Sequence, residues 1–106
     1  MDSVKKGEKV RLERRVQVKN EYGIHVRPST RFVELAQAFK STIKVKLVSL
    51  EGEAVEDSEE LDGKSVFQLL QLGATKGAEL VLYSEGEDAQ EALDSLGALV
   101  ENKFEE

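Results

Sequence analysis

Cysteine is absent from the sequence, so the chain can form neither a disulfide framework nor a metal site built on thiolates. This absence fits a protein of a reducing compartment. Long apolar runs are absent too: no stretch reaches the length of a transmembrane helix, and the basic start of the chain lacks the apolar core of a secretory signal peptide. We therefore expect a soluble, cytoplasmic protein without membrane insertion.

An excess of positive charge is also missing. The formal net charge is −6, whereas a general nucleic-acid-binding protein is usually basic, so this class is disfavoured. Basic residues are nevertheless concentrated in the first 40 residues: Arg11, Arg14, Arg15, Lys19, Arg27, Arg31 and Lys40. A basic face there would suit phosphate and an acidic partner surface, although ordinary solvated charges explain the same distribution.

The chain has 106 residues, of which 40% are hydrophobic, enough for one small core. We expect residues 1–9 to be polar and flexible and residues 10–106 to form a single domain. Periodicity favours an α+β sandwich with helices stacked on one face of a sheet, although it does not give the strand order. The predicted strands lie at 10–19, 43–48, 54–62 (the least clear) and 79–83. The predicted helices lie at 27–39, 66–72 and 88–104, and Asp88 with Glu91 is predicted to cap the last of them.

The segment Gly23–Thr30, GIHVRPST, holds the only histidine and the only proline of the chain. Pro28 suits the first turn of a helix, which places His25 at or just before the helix N-terminus. Free backbone N–H groups there can bind phosphate, an imidazole is a competent nucleophile, and an arginine presents forked donors to phosphate oxygens. We therefore predict a phosphoryl group on His25, held by the Arg27 side chain and by the backbone of Val26 and Arg27. The alternative is a histidine that only caps the helix.

The same segment resembles the active-site signature of the HPr family, the histidine-containing phosphocarriers of the bacterial phosphoenolpyruvate-dependent phosphotransferase system. The resemblance spans about residues 14 to 104 and continues, in order, through Phe32-Val33, Ala36 to Phe39, Gly63-Lys64-Ser65, Leu72-Gly73-Ala74, Lys76 to Leu80, Gly86-Glu87-Asp88 and Ala92-Leu93. It implies an open-faced β-sandwich whose four-stranded antiparallel sheet has the order 1-4-2-3, with three helices on one face.

The resemblance also implies a function. Enzyme I, charged by phosphoenolpyruvate, would pass its phosphoryl group to Nδ1 of His25, which would pass it to an enzyme IIA domain in sugar uptake. Such a protein is a stoichiometric carrier and not an enzyme, needs neither cofactor nor metal, and is expected to be a monomer. The alternative is a regulatory HPr-like binding module, either a nitrogen-branch or a serine-phosphorylated paralogue. A small enzyme is disfavoured, because one histidine without cysteine leaves few groups for a turnover cycle.

A second candidate site begins at Ser65. Ser65 with Gln68 reads as a capping box at the start of a short helix, on which Val66, Phe67 and Leu70 form an apolar patch. Core packing would explain this patch, whereas the resemblance implies that it docks partner proteins. The resemblance also implies that, in some bacteria, an HPr kinase/phosphorylase phosphorylates the serine at this position.

The clearest departure from the family pattern is an acidic, lengthened loop at about residues 51–62. It carries Glu51, Glu53, Glu56, Asp57, Glu59, Glu60 and Asp62. A longer solvated hairpin explains it, because surface insertions are well tolerated. A cation site is the alternative, but the spacing does not reproduce an EF-hand loop.

Overall fold

The computed structural model describes residues 10–105, so the prediction for residues 1–9 lies outside the described part of the chain. The five strands are β1 (Arg11–Gln17), β2 (Thr42–Leu50), β3 (Glu53–Ala54), β4 (Leu61–Asp62) and β5 (Glu79–Glu85). The helices are α1 (Val26–Ala36), α2 (Val66–Leu70) and α3 (Ala89–Glu101), followed by a last turn at Lys103–Glu105. This order of elements confirms the predicted α+β class.

All strand pairs of the sheet are antiparallel, and the strand order is β1-β5-β2-β3, with β4 also paired to β2. Strands β3 and β4 lie along the same edge of β2 and together form one interrupted strand. With this pair counted as the third strand and β5 as the fourth, the predicted order 1-4-2-3 is confirmed. The third strand, the least clear in the sequence, is therefore split into two short pieces.

The interruption has a local cause. Glu51 and Gly52 both have positive φ angles (53° and 83°), which is the backbone of a tight hairpin turn, so the pairing of β3 begins as expected. The acidic residues that follow are poor strand formers, and Asp57 adopts φ 58°. Pairing with β2 resumes only at Leu61, opposite Val45.

Alternate residues of the long strands face the helices and form the core, as the period-two pattern predicts. Buried on this face are Val16, Ile43, Val45, Leu47, Leu80 and Leu82. Arg14 breaks the pattern, because its side chain lies over Gly97 of α3 and its Nη2 atom donates to Glu101 at 3.0 Å. The missing side chain of Gly97 makes room for the guanidinium, since a Cβ atom there would lie 2.5 Å from Arg14 Cζ.

The ends of the helices differ from the predictions in two ways. Helix α1 ends at Ala36 instead of residue 39, because the chain tightens there: the N–H groups of Ala38 and Phe39 donate to carbonyls three residues back. Asp88 is the N-cap residue of α3, but its side chain makes no capping hydrogen bond to the helix. Its carboxylate accepts instead from Lys40 N and Ser41 N, at 2.8 and 2.9 Å, and from the Ser41 hydroxyl.

Candidate functional site

The loop that leads from β1 to α1 is built on a tight turn, Asn20–Gly23. The N–H of Gly23 donates to the carbonyl of Asn20 at 3.1 Å, and Gly23 adopts φ 68°. A Cβ atom at this position would collide with the carbonyl oxygen of Ala74. Glycine is therefore required at position 23 for two reasons: the backbone is left-handed there, and the 74–75 loop approaches it closely.

His25 is the residue immediately before α1. Its backbone is extended (φ −117°, ψ −164°), and its carbonyl accepts the first helical hydrogen bond, from Ser29 N at 3.0 Å. Pro28 falls in the first turn, which confirms the position that the sequence predicts for His25. The side chain of His25 is partly exposed and makes no capping hydrogen bond to the helix. A histidine that only caps α1 is therefore not what the geometry supports.

The first turn of α1 offers donors next to the imidazole. The N–H groups of Val26 and Arg27 precede the first residue that can donate within the helix, and Pro28 has no N–H group. The side chains of Val26 and Arg27 are exposed. A tetrahedral anion on the imidazole would meet two backbone donors, the positive end of the helix dipole and a guanidinium.

Arg31 lies one turn further along α1 and has a different role. Its Nη1 atom donates to the carbonyls of Phe104 and Glu105, both at 2.8 Å, and so ties the last turn of the chain to α1. Residues 103–105 all have positive φ angles, and the Phe104 side chain is fully buried. Sequence reasoning missed this contact, because 73 residues separate Arg31 from Phe104 and no local pattern connects them.

At the start of α2, Ser65 is the N-cap as predicted: its hydroxyl accepts from Gln68 N at 3.3 Å. The second half of the predicted capping box is wrong. The Gln68 side chain does not reach back to Ser65 but accepts from Asp62 N at 2.8 Å, because the chain arrives from β4 on that side. Asp62 in turn accepts from Lys64 N at 2.9 Å, so the approach to Ser65 is fixed by its own short-range bonds.

The three residues of the predicted docking patch differ in exposure. Phe67 is 82% exposed, Leu70 is half-buried, and Val66 packs against the core. Helices α1 and α2 are in contact, so this patch belongs to the same layer as the helix that His25 begins. Two further apolar side chains beside His25 in sequence are exposed, Tyr22 at 78% and Val26 at 62%. Sequence reasoning overlooked Tyr22, although an aromatic residue in an otherwise polar turn was a usable signal.

The acidic loop, residues 51–62, lies against the sheet. The Ser58 hydroxyl donates to the carbonyl of Leu47 at 2.5 Å, and Glu60 pairs with Arg11 of β1 at the same distance. The hydrogen bond that Arg11 donates to Glu60 raises the pKa of Arg11, whose guanidinium also stacks 3.8 Å from the centre of the Tyr83 ring. Within the described residues, no group of three or more His, Asp or Glu side chains could hold a metal ion.

None of the helices between residues 10 and 105 is long and apolar enough to cross a membrane.

Comparison with known proteins agrees with this geometry. Residues 4–102 match the family model described as PTS HPr component phosphorylation site. The chain belongs to the HPr family. A crystal structure of HPr-C-His from Thermoanaerobacter tengcongensis superposes with a TM-score of 0.75 at 34% identity, covering 90% of this chain and 97% of that one. This likeness also confirms the open-faced sandwich as the fold.

The HPr-family relatives carry several names. The chain is 33% identical to phosphocarrier protein HPr of Cupriavidus necator, covering 90% of this chain and 97% of that protein. It is 34% identical to phosphocarrier protein NPr of Shewanella violacea, with 91% and 96% covered. It is also 36% identical to a multiphosphoryl transfer protein of Haemophilus influenzae, with 80% of this chain but only 16% of that protein covered. Membership makes the chain an HPr-family phosphocarrier with partners in the phosphotransferase system.

Proposed function

We propose that His25 carries the phosphoryl group, accepting it from phosphorylated enzyme I and passing it to enzyme IIA domains in sugar uptake. The observation that supports this most is the position of His25: it is the N-cap residue of α1, partly exposed, beside the N–H groups of Val26 and Arg27, which have no acceptor within the helix. These donors, with the Arg27 guanidinium, stabilise the charge on the phosphoryl oxygens.

The transfer is an exchange of one phosphorus–nitrogen bond for another. The lone pair of the unprotonated ring nitrogen of His25 attacks the phosphorus on the donor histidine, whose own bond to phosphorus breaks as its imidazole leaves. The reverse sequence delivers the group to enzyme IIA. Binding must stay balanced, because strong stabilisation of phosphohistidine on the carrier would slow the second transfer.

Labelling with radioactive phosphoenolpyruvate and enzyme I tests the assignment. We expect about one acid-labile, alkali-stable phosphoryl group per wild-type chain and none on His25→Ala. The variant should remain folded, because His25 is a partly exposed loop residue, and circular dichroism checks this. Wild-type labelling of His25→Ala would show that the phosphoryl group sits elsewhere.

A second candidate function is regulatory, and the near-equal identity to HPr and NPr relatives supports considering it. In this proposal the phosphorylated chain acts on partner proteins of a nitrogen branch, or an HPr kinase/phosphorylase modifies Ser65. Side-by-side labelling with enzyme I proteins from a sugar branch and from a nitrogen branch distinguishes the roles by the faster donor. The cytoplasmic location and the monomeric state remain predictions.

A further inference from the structure

One peptide group just before His25 is held at both of its polar atoms. The carbonyl of Gly23 accepts a hydrogen bond from Asn20 Nδ2 at 2.5 Å. The N–H of the same peptide, which belongs to Ile24, donates to the carbonyl of Ala74 at 2.9 Å. The Gly23–Ile24 peptide is therefore held from two directions, by the turn that follows β1 and by the loop that follows α2.

Asn20 is buried although it lies in a loop. The residue is 2% exposed, in a loop where polar residues normally face water. Its backbone carbonyl accepts from Gly23 N while its side chain donates to Gly23 O, so a single residue closes the turn through both its main chain and its side chain. Burying an amide side chain costs free energy unless the amide forms hydrogen bonds, so these bonds define where the Asn20 side chain lies.

We propose that Asn20 is a positioning residue for phosphoryl transfer: by holding the Gly23–Ile24 peptide, it fixes where the His25 ring meets a docked partner. On the other side of His25, the helical bond from Ser29 N to its carbonyl fixes the chain, so the backbone is held before and after the imidazole. In-line transfer between two proteins needs this, because a misplacement of about 1 Å can cost on the order of a hundredfold in rate. This inference rests on the proposed function of His25.

Asn20→Asp tests the role with the smallest change, because the carboxylate has the same shape but cannot donate to the Gly23 carbonyl. With phosphorylated enzyme I as donor, we expect kcat to fall about tenfold to a hundredfold while KM stays unchanged, since the docking surface is intact. Phosphoramidate, a small donor that approaches from any direction, should label Asn20→Asp at the wild-type rate. The exposed Asn102→Asp, the same chemical change at the end of α3, is the control and should keep both parameters.

Two results would overturn the inference: an unchanged kcat for Asn20→Asp, whether or not KM rises, or an equal loss of rate with phosphoramidate. If Asn20→Asp does not fold, Asn20→Ser replaces it, because the serine hydroxyl is too short to reach the same carbonyl, and the same fall in kcat is expected. A wild-type chain that phosphoramidate labels but enzyme I does not would count against the proposed function itself, and so is distinguishable from a failure of Asn20 alone.

Discussion

At the scale of single residues, variants of two arginines on α1 should distinguish an effect on the rate of phosphoryl transfer from an effect on stability. The Arg27 side chain is exposed beside His25, whereas Arg31 holds the carbonyls of Phe104 and Glu105. We predict that Arg27→Lys slows transfer, because an ammonium lacks the planar fork that matches phosphoryl oxygens. Its melting temperature should stay within about 2–4 °C of wild type, the scale of a loss below about 1 kcal/mol.

Arg31→Lys is the matched control, and thermal melts with rapid-quench transfer assays measure both variants. We expect Arg31→Lys to lower the melting temperature more than Arg27→Lys does and to change the transfer rate less. Transfer by Arg27→Lys at the wild-type rate, with both donor and acceptor partners, would remove Arg27 from the mechanism.

Residue-scale prediction from the sequence worked where the signal is local. Pro28 fixes the helix start, and therefore the place of His25, within a few residues. Asp88 was predicted as a cap for α3 on equally local grounds, and the prediction is wrong because residues 40 and 41, 47 or more positions away, present better donors. The hydrogen-bond partners of a side chain can lie far away along the chain, outside the local segment from which a helix cap is predicted.

The contacts of Asp88 lead to a pH-dependent prediction. The Ser41 hydroxyl, and then the N–H of Lys40, lower the pKa of Asp88 below its ordinary value of 3.8. A carboxylate with a lowered folded pKa stabilises the protein above its unfolded pKa, and that stabilisation is lost as the pH falls through the folded pKa. Asp88→Asn should therefore be less stable than wild type at pH 7, and the difference should shrink below about pH 4.

Urea unfolding at several pH values measures this difference. Glu87→Gln is the control, because Glu87 lies 3.8 Å from Lys40 with both side chains largely exposed, and it should show little pH-dependent difference. A constant gap between wild type and Asp88→Asn from pH 7 to pH 3 would contradict the assignment.

At the scale of elements, Ser65 links the stability of α2 to its surface. Ser65→Ala should cost about 0.5–2 kcal/mol, because Gln68 N loses its acceptor. Ser65→Asp should keep the cap but place a negative charge beside the exposed Phe67, where it is costly to desolvate and repels an acidic partner. We therefore predict that Ser65→Asp folds normally and accepts phosphoryl groups from enzyme I more slowly.

Ser65→Asn is the matched control for this charge, since asparagine caps a helix equally well and has nearly the same shape as aspartate. Rates are compared at the same ionic strength. Equal acceptance by the aspartate and asparagine variants would leave Ser65 as a helix cap without influence on docking.

The elements themselves were predictable to different degrees. Strand β2 is predictable from its alternation, because one of its faces packs against the helices and the other is partly exposed. Strand β5 lies between β1 and β2 and is recognised instead by its buried apolar run, Leu80, Val81 and Leu82. The third strand was unclear in sequence and is split in the fold, into Glu53–Ala54 and Leu61–Asp62. Nothing local marks where pairing resumes, since that depends on how the Ser58 and Glu60 side chains reach Leu47 and Arg11.

At the scale of the whole molecule, the strand order came from the family resemblance and not from periodicity. Alternation identifies which residues face the core but not which strand lies beside which, because a partner such as Leu80 for Leu47 is 33 residues away. The resulting arrangement places the start of α1, with His25, in the helical layer that also contains α2.

A carrier with one histidine must present it to a donor and then to an acceptor, so both partners must cover the same surface in turn. Phe67 is the most exposed large apolar side chain among the described residues, and we propose it as part of that surface. Phe67→Ala should raise KM for enzyme I and for enzyme IIA alike while changing stability by no more than about 0.5 kcal/mol, because the ring packs against little of the chain.

Leu69 provides the contrast, because it lies on the same helix but is only 2% exposed. Leu69→Ala should cost about 2–5 kcal/mol of stability through the cavity it leaves, with KM unchanged at temperatures where the variant is folded. Steady-state transfer assays with each partner, together with urea unfolding, measure both variants. A KM that rises for one partner only would mean that donor and acceptor use different surfaces, and that Phe67 selects between them.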